Sequence, residues 1–241
     1  MSEKHLFAIF YENIKEINNK NNFLLIKEEK IIHRIKNILR LNENEDLLIF
    51  NGNIELILKI INFEKKFINC KILEQKITKN NSNEITLYLP ILNKEYIEEV
   101  IYICGQQNIN IQFVKYEKSK KINLKENFER FFKILISGCE QGKQFNIPTI
   151  YEKEISFLEM IEKSKNESFF FLNENGEKLE NLIFNKEKFD RKKISFSAGP
   201  EAGLTENEIF FLKEIKKIKL TNFVLRSIDA INFLSIFLRS I

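Results

Sequence analysis

The chain has 241 residues, 38 basic against 34 acidic side chains, a formal net charge of +4 and 44% apolar residues, which is enough to build a core and too apolar for a disordered chain. Seven Gly and three Pro exclude collagen-like and loop-dominated designs, and Cys70, Cys104 and Cys139 form no CxxC pair, so neither a disulfide framework nor a metal site is expected. No apolar run approaches the roughly 20 residues of a membrane-spanning helix, and Met1 to Tyr11 lacks the apolar stretch and cleavage site of a secretory leader; a cytoplasmic protein with no membrane partner is expected.

The first third reads mostly as strands. Leu6 to Tyr11 and Asn22 to Ile26 are short apolar-rich runs, and Phe67 to Leu73 is another. Asp46 to Phe50 and Ile54 to Ile61 flank Asn51-Gly52, a strong hairpin signal because both residue types tolerate positive φ. One helix interrupts the strands, with Ile31, Ile35, Ile38 and Leu39 on one face and His33, Arg34, Lys36 and Arg40 largely off it. This predicts a small β-barrel carrying one basic helix. The polar stretch Thr78 to Asn83 has no periodicity and reads as a linker, which divides the chain into domains at 1–79 and 82–241.

From Glu84 the pattern changes to alternating strands and helices. Ile85 to Leu89 is a predicted strand; Ile97, Val100, Ile101 and Cys104 form a helical stripe; Ile109 to Val114 is a strand again. Leu124, Phe128, Phe131, Phe132, Leu135 and Cys139 recur at three and four residues along a long helix. Strands follow at Ser168 to Leu172, Lys193 to Ala198 and Ile218 to Leu220, with helices beginning near Thr205 and Ser227. Alternation of this kind implies a mostly parallel sheet covered on both faces, with ligands outside the carboxyl ends of its strands.

Two segments carry chemistry. In Gly199-Pro-Glu-Ala-Gly203 a strand runs out into a loop with two glycines, and Thr205-x-x-Glu208 is a capping box opening a helix. Free amides there suit polar or anionic groups, although the loop reads equally as a plain connection. In Leu220 to Ala230, Arg226 stands at the start of the last helix against the macrodipole, which disfavours a purely structural role; a surface arginine is the alternative. Charge is nearly even along the chain, so any nucleic-acid surface must be a local patch: Arg34, Lys36 and Arg40, or Lys115, Lys118, Lys120 and Lys121.

Taken in order, these pieces resemble the bacterial 16S rRNA (uracil-N3)-methyltransferases of the SPOUT superfamily. The resemblance lies in His33-Arg-Ile-Lys-Asn-Ile-Leu-Arg-Leu41 followed by Asp46 and Phe50-Asn-Gly52, in Cys139-Glu-Gln141 with Ile147-Pro148, in Ala198 to Glu208 and in Val224-Leu-Arg-Ser227. The chain departs from the family's pattern around Tyr102, Ile103 and Gln106, at Gln144, and over Leu220-Thr-Asn-Phe223 and Arg226-Ser-Ile-Asp229, where Thr221 replaces a usual glycine.

The resemblance implies an α/β fold: an N-terminal PUA-like, RNA-binding β-barrel, then a SPOUT domain with a C-terminal trefoil knot. It implies S-adenosylmethionine held by Leu172, Asn173 and Glu174, by Gly199, Pro200, Glu201, Ala202 and Gly203, and by Leu220, Thr221, Val224 and Leu225. The implied substrate is N3 of a uridine in the decoding region of 16S rRNA, in the small ribosomal subunit, and the implied assembly is a homodimer. Arg226 is the expected electrostatic catalyst, Glu201 and Asp229 are expected proton acceptors, and Arg34, Lys36, Arg40, Lys118 and Gln141 are expected RNA contacts. A SPOUT enzyme acting on another RNA, and an RNA-binding relative with impaired catalysis, are the rival readings.

Overall fold

The computed structural model describes residues 6–14, 22–78, 84–179, 181 and 193–240. The described residues among 1–80, joined by Lys143–Ile147, form one compact unit, and those among 81–142 and 148–241 form a second. Residues 79–83, most of the expected linker, lie outside the described residues. The short excursion at Lys143–Ile147 was expected with the second domain. It groups with the first because Phe145 packs on Phe50 at 5.0 Å between ring centroids and Ile147 lies against Gly52.

In the first unit β1 (Phe7–Phe10), β2 (Phe23–Ile26), β3 (Asp46–Phe50), β4 (Ile54–Phe63) and β5 (Ile68–Ile77) form a barrel-like sheet of order β1-β3-β4-β5-β2. All its pairings are antiparallel except β1 with β3. Alternation along β4 turns Ile54, Leu56, Leu58 and Ile60 inward, and register shifts against β5 beyond Ile57 and Ile60 bend the two long strands. The hairpin at Asn51-Gly52 is present, but only Gly52 takes positive φ, at +94°. Asn51 instead accepts from the amides of Asn53 and Ile54 through Oδ1, at 3.0 and 2.9 Å, closing the turn with its side chain.

The helix of this unit also differs from its predicted face. α1 (Glu29–His33) passes into a π-helical turn, Arg34–Ile38, in which the Leu39 amide donates to the Arg34 carbonyl at 2.9 Å. The wider turn advances the phase, so Ile35 is fully buried while Ile38 is 63% exposed.

The second unit holds a six-stranded, wholly parallel sheet of order β11-β9-β10-β6-β7-β8. Its strands are β6 (Glu84–Pro90), β7 (Asn110–Lys115), β8 (Ile150–Ser156), β9 (Ser168–Lys178), β10 (Lys193–Ser197) and β11 (Lys217–Lys219). Its helices are α2 (Lys94–Gln107), α3 (Leu124–Gly142), α4 (Phe157–Ser164), α5 (Glu206–Phe211) and α6 (Ser227–Ser240). Central β6 and β10 are buried on both faces, as a helix-covered parallel sheet requires. β8 and α4 were not anticipated. The edge strand β8 is mostly polar, Tyr151-Glu-Lys-Glu154, and its one local signal is the Ser156–Glu159 capping box that opens α4.

The α2 stripe Ile97, Val100, Ile101 and Cys104 is buried as its spacing predicts. It meets α3 at backbone contact distance: a Cβ on Gly138 would stand 2.1 Å from the Tyr102 carbonyl oxygen, and one on Gly105 2.2 Å from that of Leu135. Side chains there would force the two helices apart. Gly138→Ala is expected to destabilise the protein by about 3 kcal/mol through overpacking, read as a lower urea midpoint at unchanged m-value.

Candidate functional site

A cavity of about 650 Å³ opens at the carboxyl ends of β9, β10 and β11. Three segments wall it. The first is the far half of β9. The β9·β11 ladder jumps from Phe171 opposite Lys217 to Glu177 opposite Ile218, so residues 172–176 bow out of the pairing. The strand expected to end at Leu172 runs on through Asn173 and Glu174, and all three residues line the cavity because the ladder skips them. Gly176 lets the strands close again, since a Cβ there would meet the Lys217 and Ile218 backbone at 2.6 Å.

The second wall is the loop after β10. The Gly203 amide donates to the Pro200 carbonyl at 2.9 Å, closing a turn over Glu201 and Ala202. Gly203 has φ of +75°, and no atom lies within 4 Å of where its Cβ would be. Gly199 and Gly203 line the cavity; Pro200, Glu201 and Ala202 do not. Two of the amides expected to be free at the start of α5 are taken by its capping box. Thr205 N donates to Glu208 Oε2 at 2.8 Å and Glu208 N to Thr205 Oγ1 at 3.4 Å, and Glu208 also accepts from Glu117 N at 2.8 Å.

The third wall is Leu220 to Leu225. The Thr221 hydroxyl accepts from Phe223 N at 3.0 Å and donates to Phe223 O at 2.8 Å, so this threonine turns back on its own loop. Ser227 Oγ donates to the Gly199 carbonyl at 2.8 Å, tying the start of α6 to the glycine loop.

The expected catalytic residues lie outside the cavity lining. Arg226 makes a bidentate pair with Asp229, Nε to Oδ2 at 2.8 Å and Nη2 to Oδ1 at 2.9 Å, and its guanidinium lies 5.9 Å from the Tyr96 ring centroid. Those hydrogen bonds hold the Asp229 carboxyl below the usual carboxylate range. Glu201 Oε2 accepts from Asn93 Nδ2 at 3.2 Å and lies 3.5 Å from Lys120 Nζ, which also donates to Asn93 Oδ1. The structure thus joins Arg226 with Asp229 but places Glu201 in a separate cluster.

Residues 79–238 match the model of the RNA methyltransferase domain. The chain belongs to the RNA methyltransferase family. A ribosomal RNA small subunit methyltransferase E of Rickettsia conorii is 27% identical over 215 residues, 86% of each chain. A ribosomal RNA small subunit methyltransferase E 2 of Borreliella burgdorferi is 30% identical over 204 residues, 80% of each chain. Among solved structures, the Neisseria gonorrhoeae ribosomal RNA small subunit methyltransferase E bound to S-adenosyl methionine shares the fold with a TM-score of 0.79, at 21% identity over 98% of both chains. A methyltransferase of Legionella pneumophila in complex with the same cofactor gives 0.78 at 18% identity, again over 98% of both.

In this RNA methyltransferase the expected RNA contacts are dispersed. Arg34, Lys36 and Arg40 belong to the first unit, where Lys36 Nζ donates to Glu64 O at 3.4 Å and lies 4.9 Å from the Phe63 ring centroid. Lys118 donates to the Leu204 carbonyl at 3.2 Å, bracing the glycine loop, and Gln141 is exposed near the end of α3. Local reading missed a buried network beneath the glycine loop. Tyr116 OH lies 2.9 Å from Ser197 Oγ, which donates to Tyr88 O at 2.7 Å. These partners are far apart in sequence, and no spacing rule joins them. Lys217 and Lys219, on the cavity wall, were also missed because they read as ordinary strand polarity.

The three cysteines are free and buried, and burial pushes the Cys70 and Cys139 thiols up to about 12 and Cys104 higher still. Thiolate is the reactive form. At neutral pH a disulfide-exchange reagent is expected to modify none of them in the folded protein and all three after denaturation; fast native-state labelling would contradict this.

Proposed function

We propose that this protein methylates N3 of a uridine in the decoding region of 16S rRNA, with S-adenosylmethionine as the methyl donor. The observation that carries this reading is the cavity at the carboxyl ends of β9, β10 and β11, walled by three segments, in a chain of the RNA methyltransferase family. Its residues suit that donor. Leu220, Val224 and Leu225 offer apolar surface to a purine, Glu174 an acceptor for ribose hydroxyls, and Lys217 a cation for a carboxylate. The open space beside Gly203 is a cradle that a Cβ would fill. When bound, S-adenosylmethionine supplies an electrophilic methyl group on a sulfonium.

The protein's own residues must do the rest. Uracil N3 becomes nucleophilic only as its proton leaves, and the target base must be unpaired to present that edge. Both expected acceptors are charge-compensated, Asp229 by Arg226 and Glu201 by Lys120. A carboxylate is still a far stronger base than water, so Asp229 or Glu201 takes the N3 proton and passes it on to solvent. Arg226, oriented by Asp229, steadies the negative charge that develops on the ring.

The remaining assignments belong to the same reading. The first unit is a PUA-like RNA-binding domain, about 1–79, and the second, about 82–241, carries the methyltransferase site. A trefoil knot is supported by the return of α6 past the glycine loop to α2: Ser227 bonds Gly199, Asn232 donates to Glu99 Oε1 at 2.9 Å, and Arg239 Nε to Gln107 O at 2.6 Å. A homodimer is supported by the exposed apolar residues Phe223, Val224, Phe233 and Ile236, while Leu234 and Leu238 fill the core. Light scattering is expected to give a dimer at micromolar concentration. Acting on the small ribosomal subunit places the protein in the cytoplasm; no described helix is long and apolar enough to cross a membrane.

Primer extension on 16S rRNA, with and without the protein, tests the reaction: a stop at one uridine that requires both protein and donor is expected. Arg226→Ala should then lower kcat about a hundredfold, on the order of 3 kcal/mol, with donor affinity nearly unchanged. Gly203→Val should weaken donor binding instead, because a branched residue is strained at positive φ and its side chain enters the cavity. Parental turnover by Arg226→Ala would reduce Arg226 to a surface residue.

A further inference from the structure

A second, smaller cavity of about 80 Å³ adjoins the large one, sharing Lys219, Leu220 and Thr221 with it. Its polar lining is cationic and amidic: Lys178, Lys219 and Asn222, with Thr221 beside them. Lys178 and Lys219 stand directly opposite each other on neighbouring parallel strands. Adjacent strands lie about 4.8 Å apart, and like charges facing each other across that spacing repel. Among the described residues neither lysine side chain has an ion pair or hydrogen bond. The nearby carboxylate of Glu177 is opposite Ile218, one position along and so on the other face, and is paired with Lys216 at 4.0 Å. The Thr221 hydroxyl is occupied by its own loop, which leaves Lys178, Lys219 and Asn222 as the lining residues with side-chain donors to offer.

We infer that Lys178, Lys219 and Asn222 form an oxyanion subsite that takes a phosphodiester of the RNA substrate beside the methyl-transfer cavity. The inference rests on the methyltransferase reading above for the identity of the polynucleotide. Two facing lysines with no carboxylate between them among the described residues repel each other, and a bound anion relieves that repulsion. The site adjoins the main cavity through Lys219, Leu220 and Thr221, and Lys178 is exposed, so it is open to a backbone arriving from solvent. A phosphate held there fixes the register of the strand while leaving the base edge to the cavity.

The test uses the full chain, a short fluorescein-labelled oligouridylate, and the same oligomer with neutral methylphosphonate linkages. Lys178→Gln with Lys219→Gln is expected to raise the anisotropy Kd for the phosphodiester oligomer about tenfold and to lower the slope of log Kd against log salt by about one. Binding of the methylphosphonate oligomer should be the same for both proteins. Lys178→Gln alone should raise Tm while weakening RNA binding, an opposition that a purely structural lysine would not produce. Equal Kd and salt slope for parent and double variant would overturn the subsite. So would a loss confined to S-adenosylhomocysteine binding by calorimetry, which would assign the lysines to the donor's carboxylate instead. Lysine-dependent oligomer binding by a protein that transfers no methyl group would overturn the enzyme reading and leave the subsite standing.

Discussion

The hydroxyl of Ser197 decides where the glycine loop begins. It is fully buried at the last residue of β10, and it carries one proton for several neighbouring acceptors. The shortest contact, 2.7 Å to the Tyr88 carbonyl, takes that proton, so Tyr116 must donate its own to Ser197 Oγ at 2.9 Å. Burial raises the Tyr116 phenol well above its ordinary range and keeps it a neutral donor. Removing either partner would strand buried polar atoms, at about 1 to 3 kcal/mol each. The ends of β6, β7 and β10 are thereby fixed to one another just before the chain turns into the loop, and the bonds from Lys118 to Leu204 and Ser227 to Gly199 carry that constraint onward.

The opposite wall is set by a missing side chain. Because Gly176 allows β11 to approach to backbone contact, the ladder can skip residues 172–176 and still close at Glu177. The bowed segment gives the cavity its depth. The same resumption of register sets Lys178 beside Lys219, so the geometry that opens the main cavity also creates the facing lysines. A residue with a Cβ at 176 would act on both features at once.

Much of this was legible wherever one element's own pattern decided the outcome. The stripe Ile97, Val100, Ile101 and Cys104 needed only helical spacing, and the Thr205–Glu208 box only a three-residue offset. The site's location followed from strand and helix alternation, since a parallel sheet presents its carboxyl ends together. Readings failed where something outside the local pattern intervened. A π-helical turn rotated Ile38 outward, an edge position let β8 be polar, and a second use of Glu208 by the Glu117 amide joined residues 91 apart in sequence. The Tyr88, Tyr116 and Ser197 network is invisible to any window because each residue alone is an ordinary strand-end residue.

Where the cavity wall depends on the path of the backbone, it tolerates sequence change that a side-chain contact would not. Carbonyl and amide groups are supplied by any residue that keeps the backbone path, so the constraint falls on conformation: positive φ at Gly203, close approach at Gly176, and the hydrogen bonds that fix each loop. Thr221 illustrates the rule. Where a glycine is usual by resemblance, a branched residue would crowd the cavity if its side chain pointed inward, but both hydrogen bonds of its hydroxyl go to Phe223 of the same loop. The substitution replaces freedom of the backbone by a side-chain brace and leaves the loop's main chain on the cavity wall. The Arg226–Asp229 pair and the facing Lys178 and Lys219 are side-chain features instead, and substitution there would leave the fold intact.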